Sequence, residues 1–222
     1  MILKVELLGL CGVGKTTFIN AIMPRLKSNV DFDLAYPVIP PKIQILFSLI
    51  RILWVGFFTE PISFSRFIIK KNSWWLIKKI AYRSAGISYR KKGSFILIDS
   101  GILQPFISFE IEENLSDVTV PVHPILSGCV LPDVVIVFDV SPSIAIERYK
   151  QRGLSGAGKV IRENSRKHFN RAEELRKNLV EYCKMKNVQI IEVNSSREFN
   201  ERYLTSKLVE IRKFVKKEKM KK

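Results

Sequence analysis

Nine consecutive residues, Gly9-Leu10-Cys11-Gly12-Val13-Gly14-Lys15-Thr16-Thr17, carry the densest chemistry in this 222-residue chain. Glycine, four residues, then Gly14-Lys15-Thr16 is the spacing of a phosphate-cradling loop. Glycines reach backbone conformations closed to other residues, so successive N–H groups can turn inward on phosphate oxygens. Lys15 would add positive charge at the outer phosphates, and the Thr16 hydroxyl would ligate magnesium. A helix starting at this point would add its positive dipole end. The expected triphosphate-binding set is therefore Gly9, Gly12, Val13, Gly14, Lys15, Thr16 and Thr17. A second candidate group is Asp99, which follows the apolar run Phe95-Ile96-Leu97-Ile98. An acid at the carboxyl end of a strand beside such a loop holds magnesium, directly or through water. The candidate metal set is thus Thr16 and Asp99.

These residues need elements to hold them. Ile2 to Leu8 reads as a strand, and Thr16 to Met23 as a helix with Phe18, Ile19 and Ile22 on one face. Ser28 to Pro41 reads as loop with a short strand near Ala35–Ile39. Gly101 to Leu115 reads as a helix, and Val134 to Val140 as the clearest strand. Ser141-Pro142 then supplies a cap residue and a proline at the first helical position. The helix Pro142–Gln151 is followed by a glycine-rich loop, Gly153 to Gly158, flanked by basic residues. A long helix over Glu163–Lys186 carries the apolar stripe Phe169, Ala172, Leu175, Leu179, Tyr182 and Cys183. Val188 to Val193 is a last strand, followed by a turn at Asn194-Ser195-Ser196 and a terminal helix. Strands alternating with helices give a three-layer α/β/α fold with an open parallel sheet, whose ligands lie at the strands' carboxyl ends. The loop, Asp99, Asp139 and Asn194 all fall there.

The region from 28 to 92 breaks that pattern. Between Lys42 and Lys92 there are eleven Lys or Arg against Glu60 alone, which accounts for most of the net charge of +16. Such a surface attracts phosphorylated metabolites, nucleic acid or acidic lipid headgroups. Ile43 to Phe58 is apolar almost all round a helix. It is shorter than the roughly twenty residues of a membrane span and has Arg51 in its middle. We expect a buried helix; the alternative is one that lines a greasy cleft or touches a membrane surface. Ile62 to Ala85 reads as two or three amphipathic helices broken at Asn72-Ser73, where Ser73 could cap. Aromatics among basic residues also suit nucleic-acid contacts.

Composition bounds the rest. A 46% hydrophobic content argues against wholesale disorder. Cys11, Cys129 and Cys183 show no paired spacing, so neither a disulfide framework nor a zinc site is expected, and a reducing cytoplasm is. The N-terminus reads as a core strand and not as a cleavable signal. One domain over 1–222 is expected, with a helical insertion. His123 and His168 stand without paired partners and read as surface or structural.

The loop, Pro132-Asp133-Val134 to Val140-Ser141-Pro142, and Ala145-Ile146-Glu147-Arg148 with Arg152-Gly153 together resemble thymidylate kinase and, more broadly, the nucleoside and nucleotide kinases. The similarity covers the first 25 residues and about 94 to 215. It implies ATP and Mg2+ as cofactors and a lid over 152–166. Arg152, Arg148 and Arg162 would close from it on the transferring group. Phe169 to Asn178, with Arg171, resembles the helix after the lid. Ile191 to Ser196 resembles the turn around the adenine ring, which brings in Asn194 and Ser195. The thymidylate kinases carry an acidic-arginine motif after the second strand that is missing here. They also carry Asp-Arg after the third, where this chain has Asp99-Ser100-Gly101. The absent arginine normally binds the acceptor's phosphate, so thymidine monophosphate is not the expected acceptor. The resemblance implies an ATP-dependent kinase, and the basic, aromatic 42–92 region as its acceptor side favours a small anionic or amphiphilic acceptor. Its proton would pass to Asp99, Asp33 or Glu60. Alternatives are a nucleotide-dependent module docking residues 43–83 on a membrane or protein partner, and a nucleic-acid-binding NTPase or end kinase. A homodimer is compatible with all three.

Overall fold

The computed structural model describes residues 3–27, 32–35, 39–70, 72–89, 95–112, 119–151, 165–196, and 202, 203, 205–207, 209–211 and 213. Five strands form its sheet: β1 (Leu3–Leu8), β2 (Phe32–Ala35), β3 (Phe95–Ile98), β4 (Val134–Asp139) and β5 (Gln189–Asn194). Their order is β2-β3-β1-β4-β5, and every pairing is parallel. β1 and β4 are buried over nearly their whole length, as parallel strands covered on both faces must be. The register sets Val5 beside Leu97 and Val134, and Leu7 beside Ile136.

Among the described residues the helices that connect and cover these strands are α1 (Lys15–Lys27), α2 (Lys42–Thr59), α3 (Pro61–Ile68), α4 (Ser73–Tyr89), α5 (Gln104–Glu112), α6 (Val122–Ser127), α7 (Pro142–Gln151) and α8 (Ser165–Met185), and the described residues from 202 to 213 are helical as well. The result is a three-layer α/β/α fold with a helical insertion over α2–α4. Phe18 of α1 meets Phe138 of β4 edge-on, with ring centroids 5.3 Å apart. The expected stripe of α8, Phe169 through Cys183, is buried throughout. α8 stops because Asn187 takes φ 59°, while Asn187 and Val188 donate to the Lys184 and Cys183 carbonyls at 3.0 and 2.9 Å. That is the left-handed cap that Asn tolerates better than most residues. Asp133, part of the kinase-like string, works at the opposite edge of the sheet from the loop. Its carboxylate accepts the Lys4 N–H at 2.7 Å, and its carbonyl accepts the Gln189 N–H at 3.1 Å, tying β1, β4 and β5 together.

Three expectations are corrected. The second strand lies at Phe32–Ala35, ahead of the proposed Ala35–Ile39. Ser73 opens α4 without capping it, because its buried hydroxyl has no hydrogen-bond partner among the described residues. Most consequentially, α2 is not a buried helix. Only Ile52 and Gly56 are buried, on the side packed against α4 and α6. Ile43, Leu46, Phe47, Ile50, Trp54, Phe57 and Phe58 recur at helical spacing on the opposite side and stand in solvent, Trp54 at 65% and Phe58 at 71% exposure. The reason lies in its position: α3, α4 and α6 cover one side of α2, and no described element packs on the other. By length and composition alone α2 could cross a membrane. α6, which receives α2's inner face, was not foreseen from sequence.

Candidate active site

β1 ends at Leu8 and the chain turns through Gly9–Gly14 into α1. Gly12 and Gly14 adopt φ of 89° and 91°, conformations that other residues rarely take. Gly12 also lies against α7, where a methyl group would come within 2.5 Å of the Ala145 carbonyl oxygen. Phe18 N–H donates to the Gly14 carbonyl at 2.9 Å, so the helix starts directly at the loop. The Lys15 ammonium is folded over it, donating to the Gly9 and Leu10 carbonyls at 2.9 and 3.0 Å. Val13 is buried beneath, whereas Thr16 and Thr17 are exposed in the first helical turn. A cradle of this kind fits phosphate oxygens: a positive ammonium, a helix N-terminus and a backbone that tolerates no side chain at Gly12.

Asp99 follows β3, the strand beside β1, so it opens onto the same edge of the sheet as the loop. It is half-buried. Arg83 of α4 is half-buried near it; burial lowers the Arg83 pKa, while Tyr82, Glu6 and Asp99 pull it back up. Among the described residues no cluster of three His, Cys, Asp or Glu could hold a metal alone. Thr16 at the start of α1 and Asp99 after β3 are the residues expected to hold magnesium, whose remaining ligands would come from phosphate and water.

Two strands away, the turn after β5 is closed by a network. Ser195 is buried, its N–H and hydroxyl donating to the Asp139 carbonyl at 2.9 and 3.1 Å. Arg148 of α7 donates to the Ser195 carbonyl at 2.7 Å. Arg148 therefore meets the turn expected around the adenine and is hydrogen-bonded there. Asn194 donates its N–H to the Tyr203 hydroxyl at 2.6 Å and accepts from the Ser196 N–H at 3.0 Å. Arg176 grips Glu173 with two bonds of 2.7 and 2.5 Å and reaches Asp139 at 3.3 Å. Arg152 and Arg162, with the loop at 153–158, lie outside the described residues. Glu60 ends α2, accepting from the Ser63 hydroxyl at 2.7 Å with His123 at 3.7 Å. Asp33 sits in β2, paired with Ile96.

Glu6 was missed. Fully buried in the middle of β1, it accepts three consecutive backbone N–H groups from the start of α5: Ile102 at 3.1 Å, Leu103 at 2.7 Å and Gln104 at 3.2 Å. Burial pushes its pKa up to about 7, against the pull of those three bonds and of Arg83. Gln104 in turn accepts the Gly9 N–H at 3.3 Å. The available signal was an acid between Val5 and Leu7 at the centre of the strand ahead of a phosphate loop, since a buried charge is retained only with partners.

No protein-family model and no curated protein matches this chain. Among solved structures, deoxyadenosine kinase from M. mycoides with bound dATP is similar at 18% sequence identity and a TM-score of 0.54. That match covers 96% of this chain and 100% of that one. The same enzyme with bound dCTP matches at 17% identity and a TM-score of 0.53, covering 95% and 100%. This likeness is one of fold, and it spans the whole sheet together with the α2–α4 region that the sequence resemblance did not reach.

Proposed function

We propose that this protein is an ATP-dependent phosphotransferase whose acceptor is a small molecule of the deoxynucleoside kind. The observation that carries the reading is the convergence at one sheet edge of the Gly9–Thr17 loop, its Lys15 ammonium and Asp99 on the adjoining strand. The likeness of fold to deoxyadenosine kinase supports the acceptor class. So does the Ser100-Gly101 sequence after Asp99, which lacks the arginine that would hold a phosphorylated acceptor. Bound Mg2+–ATP supplies the transferable phosphoryl group and the metal's charge. In this reading the Lys15 ammonium exchanges the Gly9 and Leu10 carbonyls for phosphate oxygens. Thr16 and Asp99 would hold the magnesium. Ser195 and Asn194 bound the base end of the nucleotide, with Arg148 fixing their turn. Arg152 and Arg162 close from the lid. Phosphoryl transfer needs little covalent help from the protein, so positioning and charge neutralisation account for most of the rate.

The test is mass-spectrometric detection of phosphorylated product from ATP and a panel of deoxynucleosides, deoxynucleoside monophosphates and phosphorylated sugars. Product from a deoxynucleoside, lost in Lys15→Ala, is the expected result. Product only from already phosphorylated acceptors would restore the anionic-acceptor expectation. No product above the Lys15→Ala background would sink the kinase reading.

The exposed apolar face of α2 favours a second reading, in which nucleotide state governs docking on an anionic membrane surface. Co-sedimentation with phosphatidylserine vesicles that depends on nucleotide, without phosphorylated product, would select it. Concentration-dependent dimerisation in its place would assign the face to a second copy of the chain.

A further inference from the structure

We propose that Glu6 is a positioning residue that sets the geometry of the phosphate loop through Gln104, an inference that rests on the nucleotide-binding part of the reading above. The starting point is where its bonds go. Both carboxylate oxygens are used, and all three donors belong to the first turn of α5 and the residues entering it. A helix begins with N–H groups that lack intrahelical partners. α5 has no acid of its own in the first turn, so a side chain from a different strand fills that need. The turn it captures is the one that carries Asp99 three residues ahead of Ile102.

The second link runs from Gln104. With its backbone held by Glu6, its side-chain carbonyl accepts the N–H of Gly9, the first residue of the loop. The carbonyl of that same Gly9 accepts from Lys15. Gly9 is therefore held at its N–H from the α5 side and at its carbonyl from the catalytic lysine. One buried carboxylate thus registers the loop that would cradle phosphates and the turn that presents Asp99, two parts 90 residues apart in sequence that must act on one ligand. The fit is close: a methyl on Gly101 would lie 2.3 Å from the Glu6 carboxylate. Glutamine at position 6 would turn an N–H2 toward at least one of the three amide donors, and aspartate would fall a methylene short. Leucine would leave three buried N–H groups unpaired, each costly.

The charged and titratable groups that sense Glu6 are Arg83 from α4, the Cys129 thiol beyond α6 and the Cys183 thiol of α8; Asp99 joins through Arg83. Because the carboxyl takes up a proton near pH 7, its grip on the three amides weakens as the solution is acidified.

The discriminating variant is Gln104→Ala, which leaves the Glu6 bonds to the backbone in place and cuts only the link to Gly9. Binding of a fluorescent ATP analogue is measured between pH 6 and 8 for wild type, Gln104→Ala, Glu6→Gln and Lys15→Ala, with thermal melting alongside. Gln104→Ala is expected to bind about tenfold more weakly while melting within a few degrees of wild type. It should also lose the part of the wild-type weakening seen on acidification. The ligand's own phosphate titration is common to both proteins and cancels in their ratio. Glu6→Gln should weaken binding likewise and speed hydrogen exchange at the Ile102–Gln104 amides. If Gln104→Ala binds as tightly as wild type with the same pH profile, the inference is wrong and the nucleotide reading stands. If Lys15→Ala leaves binding unchanged, the nucleotide reading itself fails.

Discussion

Glu110 shows how a single buried carboxyl can govern stability without touching the candidate site. It sits on α5 against α8, with its Oε1 4.0 Å from the nearest Arg171 nitrogen and that oxygen without a hydrogen-bond partner among the described residues. Burial pushes its pKa up to about 7; Arg171 opposes that shift and Glu174 adds to it. A folded-state value above the unfolded one means the folded chain binds the proton more tightly. That contribution to stability is complete below about 4.5 and is lost as pH rises through 7. Glu6 acts in the same sense. His168, buried beside Glu110, is shifted down by burial, so acid below its ordinary 6.5 works against folding. Melting temperature should therefore be highest near about pH 5 and decline as pH rises toward 8, the two carboxyls outweighing the single imidazole. Glu110→Gln should flatten the decline, gaining on the order of 1–3 kcal/mol relative to wild type at pH 8. An unchanged slope in that variant would remove Glu110 from the account. Residues of this kind escape sequence reading. Lys15 and Thr16 announce themselves by spacing. Glu6 and Glu110 matter through partners about 100 and 60 positions away, and no local pattern encodes those.

At the scale of elements, α2 separates composition from burial. Ile52 is fully buried and packs inward, whereas Trp54 and Phe58 face solvent. Ile52→Ala should cost about 2–5 kcal/mol in urea denaturation. Trp54→Gln with Phe58→Gln should change stability by no more than about 0.5 kcal/mol per site and lower the binding of an apolar dye. Equal losses from the two would mean the outer face is covered. Hydrophobic periodicity reads a helix whose apolar stripe contrasts with a polar one. It read α7 to the residue and the end of α8 to within one, and it found α1 but stopped it four residues short at Met23. α2 has no such contrast, so the pattern identified a helix and could not say which side the fold would claim. β2 was misplaced for a related reason: a four-residue edge strand contains too few alternations to fix its register. The parallel sheet was legible because β3 and β4 are unbroken apolar runs ending in aspartate and β1 leads straight into the first glycine of the phosphate loop.

For the molecule as a whole, charge and site make separable predictions. A net charge of +16 draws any polyanion, and binding of that sort falls steeply with salt. Retention on heparin should collapse between about 50 and 200 mM salt and be indifferent to Lys15→Ala. Nucleotide-induced thermal stabilisation should show the reverse on both counts. Lys15→Ala abolishing both would instead join the basic surface to the loop and revive the nucleic-acid reading.

The strand order carries a further consequence, for the time course of folding. β1 is made first, yet its two neighbours in the sheet are β3 and β4, which begin at Phe95 and Val134. The phosphate loop hangs from a strand that has no hydrogen-bonded partner until nearly half the chain exists, and no second one until well past half. At roughly 5–20 residues per second on the ribosome, the apolar segment Leu3–Leu8 waits several seconds exposed. Non-local parallel pairing is also the slow kind. Fragments ending before Asp139 should remain unfolded and sticky, and refolding of the full chain should lag behind that of helical proteins of equal length. The loop that would bind nucleotide thus becomes competent only after β4 has docked beside it.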